Sequence, residues 1–159
     1  MKSKIELNVT VDDEQWTENT DFDAVKVAEE LRDLAFAYVA DACEHELLAL
    51  DKAYEVNVCL SNDAEVQRLN KEFRGMDKPT NVLSFACIDD DEFWDMLDKS
   101  ADMELGDIIL AFETLQREAD EKHITVYAHY CHLLVHGFLH ILGFDHQTDE
   151  DCLLYTSPS

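Results

Sequence analysis

The pattern of apolar and polar positions changes period several times along the chain. Ile5, Leu7, Val9 and Val11 alternate with Glu6, Asn8 and Thr10, which predicts a half-buried strand. From Asp23 to Ala49 the apolar residues Val27, Leu31, Leu34, Ala35, Tyr38, Val39 and Ala42 recur at three- and four-residue steps, the stripe of a long amphipathic helix. Val56, Val58 and Leu60 alternate with Glu55, Asn57 and Cys59 and predict a second strand. Ser61-Asn62-Asp63 then supplies capping residues for a helix ending near Arg74. Gly75 to Pro79 reads as a turn, because proline cannot continue the helix.

Val82–Ala86 predicts a third strand, and the acidic run from Asp89 to Glu104 a solvated loop or short helix. Asp107–Ala111 predicts a fourth strand, followed by a helix over Phe112–Lys122. Val126–Leu142 is apolar almost all round, as for a helix buried in a core, and Gly143 is placed to end it in a left-handed conformation. No internal repeat or linker divides the chain. The expectation is therefore one domain over residues 1–151, with residues 152–159 read as a non-native tail resembling a translated adapter sequence.

Charge changes the picture of partners. The 159 residues carry 12 Lys+Arg against 36 Asp+Glu, a formal charge of −24. Such a body repels phosphate over most of its surface, which argues against a broad footprint on duplex DNA or an anionic membrane. A hydrophobic content of 47% with clear periodicity also excludes a disordered acidic tail. No stretch approaches the roughly 20 apolar residues that span a bilayer. The start carries no signal-peptide pattern, and the cysteines (Cys43, Cys59, Cys87, Cys131, Cys152) are scattered without CxxC spacing. A cytoplasmic protein with reduced thiols is expected.

The chemistry concentrates in His136-Gly137-Phe138-Leu139-His140-Ile141-Leu142-Gly143-Phe144-Asp145-His146. His136 and His140 stand one helical turn apart, about 6 Å along the axis, on one face. A sharp exit at Gly143 lets His146 return to the same point. Three converging imidazoles bind a divalent metal at about 2.0–2.1 Å and leave a fourth position open, the pattern of catalytic rather than structural zinc. Metzincin peptidases share this spacing but place a glutamate beside the first histidine as base. Here that position is Gly137, which disfavours peptidase chemistry. His129 and His132 share the helix and read as packing or hydrogen-bonding residues, His45 and His123 as exposed bystanders.

HGFLHILGFDH resembles the H-G-x-L-H-L-x-G-y-D-H signature of the YbeY family, the bacterial rRNA maturation endoribonucleases. Leu69-Asn70 through Arg74, then Asp77 to Phe85, are similar to that family's L-N-x-x-x-R-x-x-D-x-P-T-D/N-V-L-S-F block, and Leu105-Gly106-Asp107-Ile108-Ile109 to its L-G-D-I-x element. The resemblance covers residues 54 to 151. His132 matches a histidine that the family often has one turn before the first ligand. Asn81 stands where many members have Asp, so no acid–base role is assigned to it. Ala86 stands where a proline commonly follows.

The resemblance implies an α+β fold: a mixed sheet of about four strands packed with helices, with a zincin-like active-site helix. It implies a single-strand-specific, metal-dependent endoribonuclease of 16S rRNA 3′-end maturation and ribosome quality control. His136, His140 and His146 match the metal ligands, with one Zn2+ per chain or another divalent transition metal on the same donors. Arg74 matches the family's functional arginine, suited to clamp the scissile phosphate bidentately while the metal site activates water or polarises the phosphate. The expected partners are an rRNA precursor and the small ribosomal subunit, with no membrane, DNA or small-molecule cofactor. The alternative is a non-catalytic ribosome-assembly factor with a structural metal. Arg68, Lys71, Arg74 and Lys78 cluster ahead of the third strand and predict a small positive site on a repulsive body. Asp145 reads as a carboxylate supporting a ligand or as a helix-exit cap, and Ser84 and Thr80 as groups that bond substrate backbone or satisfy the turn and strand.

Overall fold

A computed structural model describes residues 4–42, 47–48 and 50–144. The elements run β1 (Lys4–Val11), α1 (Gln15–Glu18), α2 (Ala24–Ala42), β2 (Ala53–Ser61), α3 (Asp63–Arg74), β3 (Val82–Ala86), a short 3-10 turn (Cys87–Asp89), α4 (Asp91–Leu97), β4 (Asp102–Ala111), α5 (Phe112–Glu121) and α6 (Val126–Ile141). Among the described residues the strands form a four-stranded sheet in the order β1-β2-β4-β3. β1 and β4 lie parallel to β2, and β3 runs antiparallel to β4 as an edge strand. This is the mixed-sheet α+β architecture expected.

Period-two alternation puts Tyr54, Val56, Val58 and Leu60 of β2, with Ile108 and Leu110 of β4, on one face of the sheet. Residues of α2 and α6 bury against that face: Ala28, Phe36 and Val39 from the first, Tyr130, Leu134, Phe138 and Ile141 from the second. Phe36 and Phe138 meet edge to face at 5.5 Å between ring centroids. The opposite face carries a smaller cluster in which Val66 of α3 packs on Leu83, Ile109 and Ala111. α3 opens as expected, with the Asn62 side chain accepting the Glu65 N–H at 2.9 Å, and ends at Gly75 with φ +70°.

Three points depart from the expectations. β4 begins at Asp102 rather than Asp107. Glu55 pairs with Glu104 but Val56 with Gly106, so Leu105 is the extra residue of a bulge that breaks the alternation. The acidic run ahead of it includes α4, the short helix that was one of its two readings, with Phe93 buried. α1 follows Val11 unannounced; its anchor is Trp16, 1% exposed, whose indole N–H donates to the Ser61 carbonyl at 2.8 Å. The helix drawn from Asp23 to Ala49 is described over Ala24–Ala42 and does not reach Leu47 and Leu48, which are buried in a turn; residues 43–46 and 49 lie outside the described residues. Its stripe is also rotated: Leu34 is 69% exposed, while Ala24 and Ala28 face the core.

No helix among the described residues is long and apolar enough to cross a membrane. Cys59, Cys87 and Cys131 are free thiols. Burial, then the Asp12 carboxylate, push the Cys59 pKa up to about 12, which keeps that thiol protonated. Cys43, His45, Cys152 and the segment 152–159 lie outside the described residues.

Candidate metal centre

α6 carries the two described histidines of the candidate site. Its N-terminus is capped by Thr125, whose hydroxyl accepts the Ala128 N–H at 3.0 Å. Its buried face, with Gly137 among the residues turned inward, seats it on β4: a Cβ at Gly137 would lie 3.0–3.2 Å from the side chain of Ile108. His136 and His140 fall on an adjoining stripe and are both half-buried. At the far end Gly143 adopts φ +100°. Its N–H reaches the His140 carbonyl at 3.0 Å, and that of Phe144 reaches the Leu139 carbonyl at 3.1 Å. This paired closure is a Schellman motif, which satisfies the last carbonyls and turns the chain out of the helix. His146 and Asp145 lie outside the described residues.

β3 supplies a contact to this stripe that spacing did not reveal. The Ser84 hydroxyl stands 2.7 Å from Nδ1 of His140. A ring held through Nδ1 has Nε2 as its remaining nitrogen, the usual arrangement of a metal-ligating imidazole with an outer partner. The donor chemistry of His136 and His140 therefore fits a divalent transition metal. Among the described residues no group of three or more His, Cys, Asp or Glu is assembled to hold one.

Arg74, the last residue of α3, arrives at the same serine by another route. Its guanidinium donates to the Ser84 carbonyl at 2.8 Å and lies over the Phe85 ring, 5.2 Å from its centroid. One β3 residue thus joins both halves of the candidate site, its main chain to the arginine and its side chain to the histidine. Arg74 is exposed, and among the described residues it forms no ion pair. Its basic neighbours are partly neutralised. Arg68 pairs with Glu65 and with Glu72, and Lys71 lies 3.9 Å from Asp77. The positive site foreseen from four clustered cations is therefore narrower than their number implied.

The other two histidines of α6, both read as packing or hydrogen-bonding residues, differ. His129 is 1% exposed, with Nε2 2.9 Å from Oε1 of Glu118, which also accepts the Asn81 amide N–H at 2.8 Å. Burial alone would raise the Glu118 pKa, but the hydrogen bonds from His129 and Asn81 outweigh it and hold the carboxyl below its ordinary value. His132 is exposed, its ring centroid 5.8 Å from that of His136. His123 is exposed. The Glu118 and Ser84 contacts link residues far apart in sequence, so no local motif carried them; the only signal was that Asn81 and Ser84 belong to the conspicuous block before and within β3.

The family profile described as endoribonuclease YbeY matches residues 4–154. A Sphingopyxis alaskensis protein named endoribonuclease YbeY is 51% identical over 116 residues, covering 72% of this chain and 64% of that protein. One of the same name from Paramagnetospirillum magneticum is 48% identical over 101 residues, 64% of this chain and 60% of that one. The chain thus spans less than two thirds of the length of these two relatives. A third, from Allorhizobium ampelinum, is 36% identical over 148 residues, 93% of this chain and 83% of that protein. The solution structure of TM1509 from Thermotoga maritima aligns with TM-score 0.47 and 23% identity over 89% of this chain and 74% of that one. On the profile match and these identities, the chain belongs to the endoribonuclease YbeY family.

Proposed function

We propose that this protein is a metal-dependent endoribonuclease that cuts single-stranded RNA, acting in 16S rRNA 3′-end maturation and ribosome quality control with the small ribosomal subunit as its partner. The observation that carries this reading is the meeting of His140 and Arg74 at Ser84, within a chain of this family. His136, His140 and His146 would hold one Zn2+ per chain. When bound, such an ion supplies Lewis acidity toward a phosphate oxygen and makes water a better nucleophile at neutral pH. Arg74 binds the phosphate: it keeps its charge at any cellular pH, and its fork offers donors beyond the one given to Ser84. Its cation stabilises charge that grows on the phosphate oxygens in the transition state. Phe85, under the guanidinium, limits its motion before RNA arrives. A water, or the RNA's own 2′-hydroxyl, is the nucleophile.

The test is cleavage of a single-stranded rRNA precursor by zinc-loaded wild type, His140→Ala and Arg74→Ala. Each substitution is expected to lower the rate by about two to three orders of magnitude, the usual cost of removing one transition-state contact. Equal rates in all three proteins would overturn the assignment. RNA binding without cleavage by any of them would instead support the assembly-factor role.

A further inference from the structure

We propose that Ser84 is a positioning residue for the metal centre, fixing His140 in the tautomer that leaves Nε2 unprotonated. The proposal rests on the metal reading above and concerns how that site is prepared before an ion arrives. A neutral imidazole carries one proton on either nitrogen, and the partner of one nitrogen decides which. If the proton sits on Nε2, that nitrogen has no lone pair to give a cation. The Ser84 hydroxyl stands 2.7 Å from Nδ1; by accepting an Nδ1–H it would hold the ring in the competent form.

Two features fix Ser84 in place and leave its hydroxyl able to accept. Its place on β3 is set by pairing opposite Ile108 of β4, while Arg74 holds its carbonyl. It is also half-buried rather than sealed, so water can take the hydroxyl's own proton. An alanine there removes the hydroxyl but keeps the carbonyl that Arg74 uses. A threonine keeps both and suits a strand.

Three proteins decide the matter: wild type, Ser84→Ala and Ser84→Thr, each full-length. The His140 tautomer is read in the metal-free proteins by proton–nitrogen correlation. Zinc affinity is read by competition with a chromogenic chelator. The expected result is an Nδ1–H ring in wild type and Ser84→Thr, and a shift toward Nε2–H in Ser84→Ala. Ser84→Ala should also bind zinc about 10- to 100-fold more weakly, with the threonine variant close to wild type. The backbone amide spectra of all three should overlay, which separates a tautomer effect from a disrupted strand. An unchanged His140 tautomer in Ser84→Ala overturns the proposal whatever its zinc affinity, as does an Nε2–H ring in wild type. Failure of wild type to take up zinc overturns the metal reading itself. The tautomer measurement needs no metal, and it still supports the Ser84 assignment if Ser84→Ala changes the ring and overturns it if the ring stays the same.

Discussion

Two glycines set how closely α6 approaches the sheet, and through it where His136 and His140 stand. A Cβ on Gly106 would lie 2.4 Å from the Phe85 carbonyl oxygen and 2.7 Å from Cγ2 of Ile141, so β4, β3 and α6 meet there with no space left. The first obstacle is backbone and cannot swing aside. Gly106→Ala is expected to cost about 3 kcal/mol, at the upper end of overpacking penalties. At Gly137 the obstacle is the Ile108 side chain at 3.0–3.2 Å, which can give by tenths of an ångström. An alanine there also gains about 1 kcal/mol of helix propensity, so Gly137→Ala should lie within about 1 kcal/mol of wild type. Urea unfolding of both variants checks the contrast; equal destabilisation would refute it. The same geometry bears on the peptidase reading that Gly137 disfavours. A glutamate at position 137 would start against Ile108 in the core, not in the space beside the histidines.

At the scale of elements, Glu118 ties α5 to His129 of α6 and to Asn81 at the entrance to β3. These bonds hold its pKa below the ordinary 4.5, so the sign of the linkage is fixed. The stabilisation is complete above the ordinary value and is lost as pH falls below it through the folded-state value. Glu118→Gln removes the titration. Its deficit in unfolding free energy relative to wild type should be largest near neutrality and shrink on acidification below 4.5. Denaturant unfolding of the pair across that range measures it, and a deficit independent of pH would contradict the argument. The elements also show what the sequence made legible. β1, β2, β3, α3, α5 and α6 were readable because each keeps a clean period over one buried face or is bracketed by capping residues, glycine or proline. The beginning of β4 was hidden because the bulge at Leu105 shifts its phase. α1 was hidden because a four-residue helix with one buried anchor has no period. The His136–His140 pair was visible as a local repeat on one helix. Ser84 was named only as a neighbour, since a contact across 56 residues leaves no trace in spacing.

For the whole molecule, the charge of −24 and a phosphate-binding role pull in opposite directions. The structure narrows the basic cluster around Arg74. Arg68 is held by Glu65 and Glu72, and Lys71 sits near Asp77, so of that basic cluster Arg74 and Lys78 are the cations left for a phosphate. With about one or two phosphates neutralised, the logarithm of affinity for a random single strand should fall with the logarithm of salt at a slope of about −0.7 to −1.4. Added salt also screens the repulsion between RNA and the acidic body, which flattens the slope further. Naked RNA should therefore bind weakly and with little salt dependence, and productive encounters should depend on a partner that holds the strand in place. Fluorescence anisotropy with a labelled random single strand, titrated from low to physiological salt, measures the slope. A value steeper than about −3 would mean several more phosphate contacts than Arg74 and Lys78 provide, and a binding surface other than the one around Ser84.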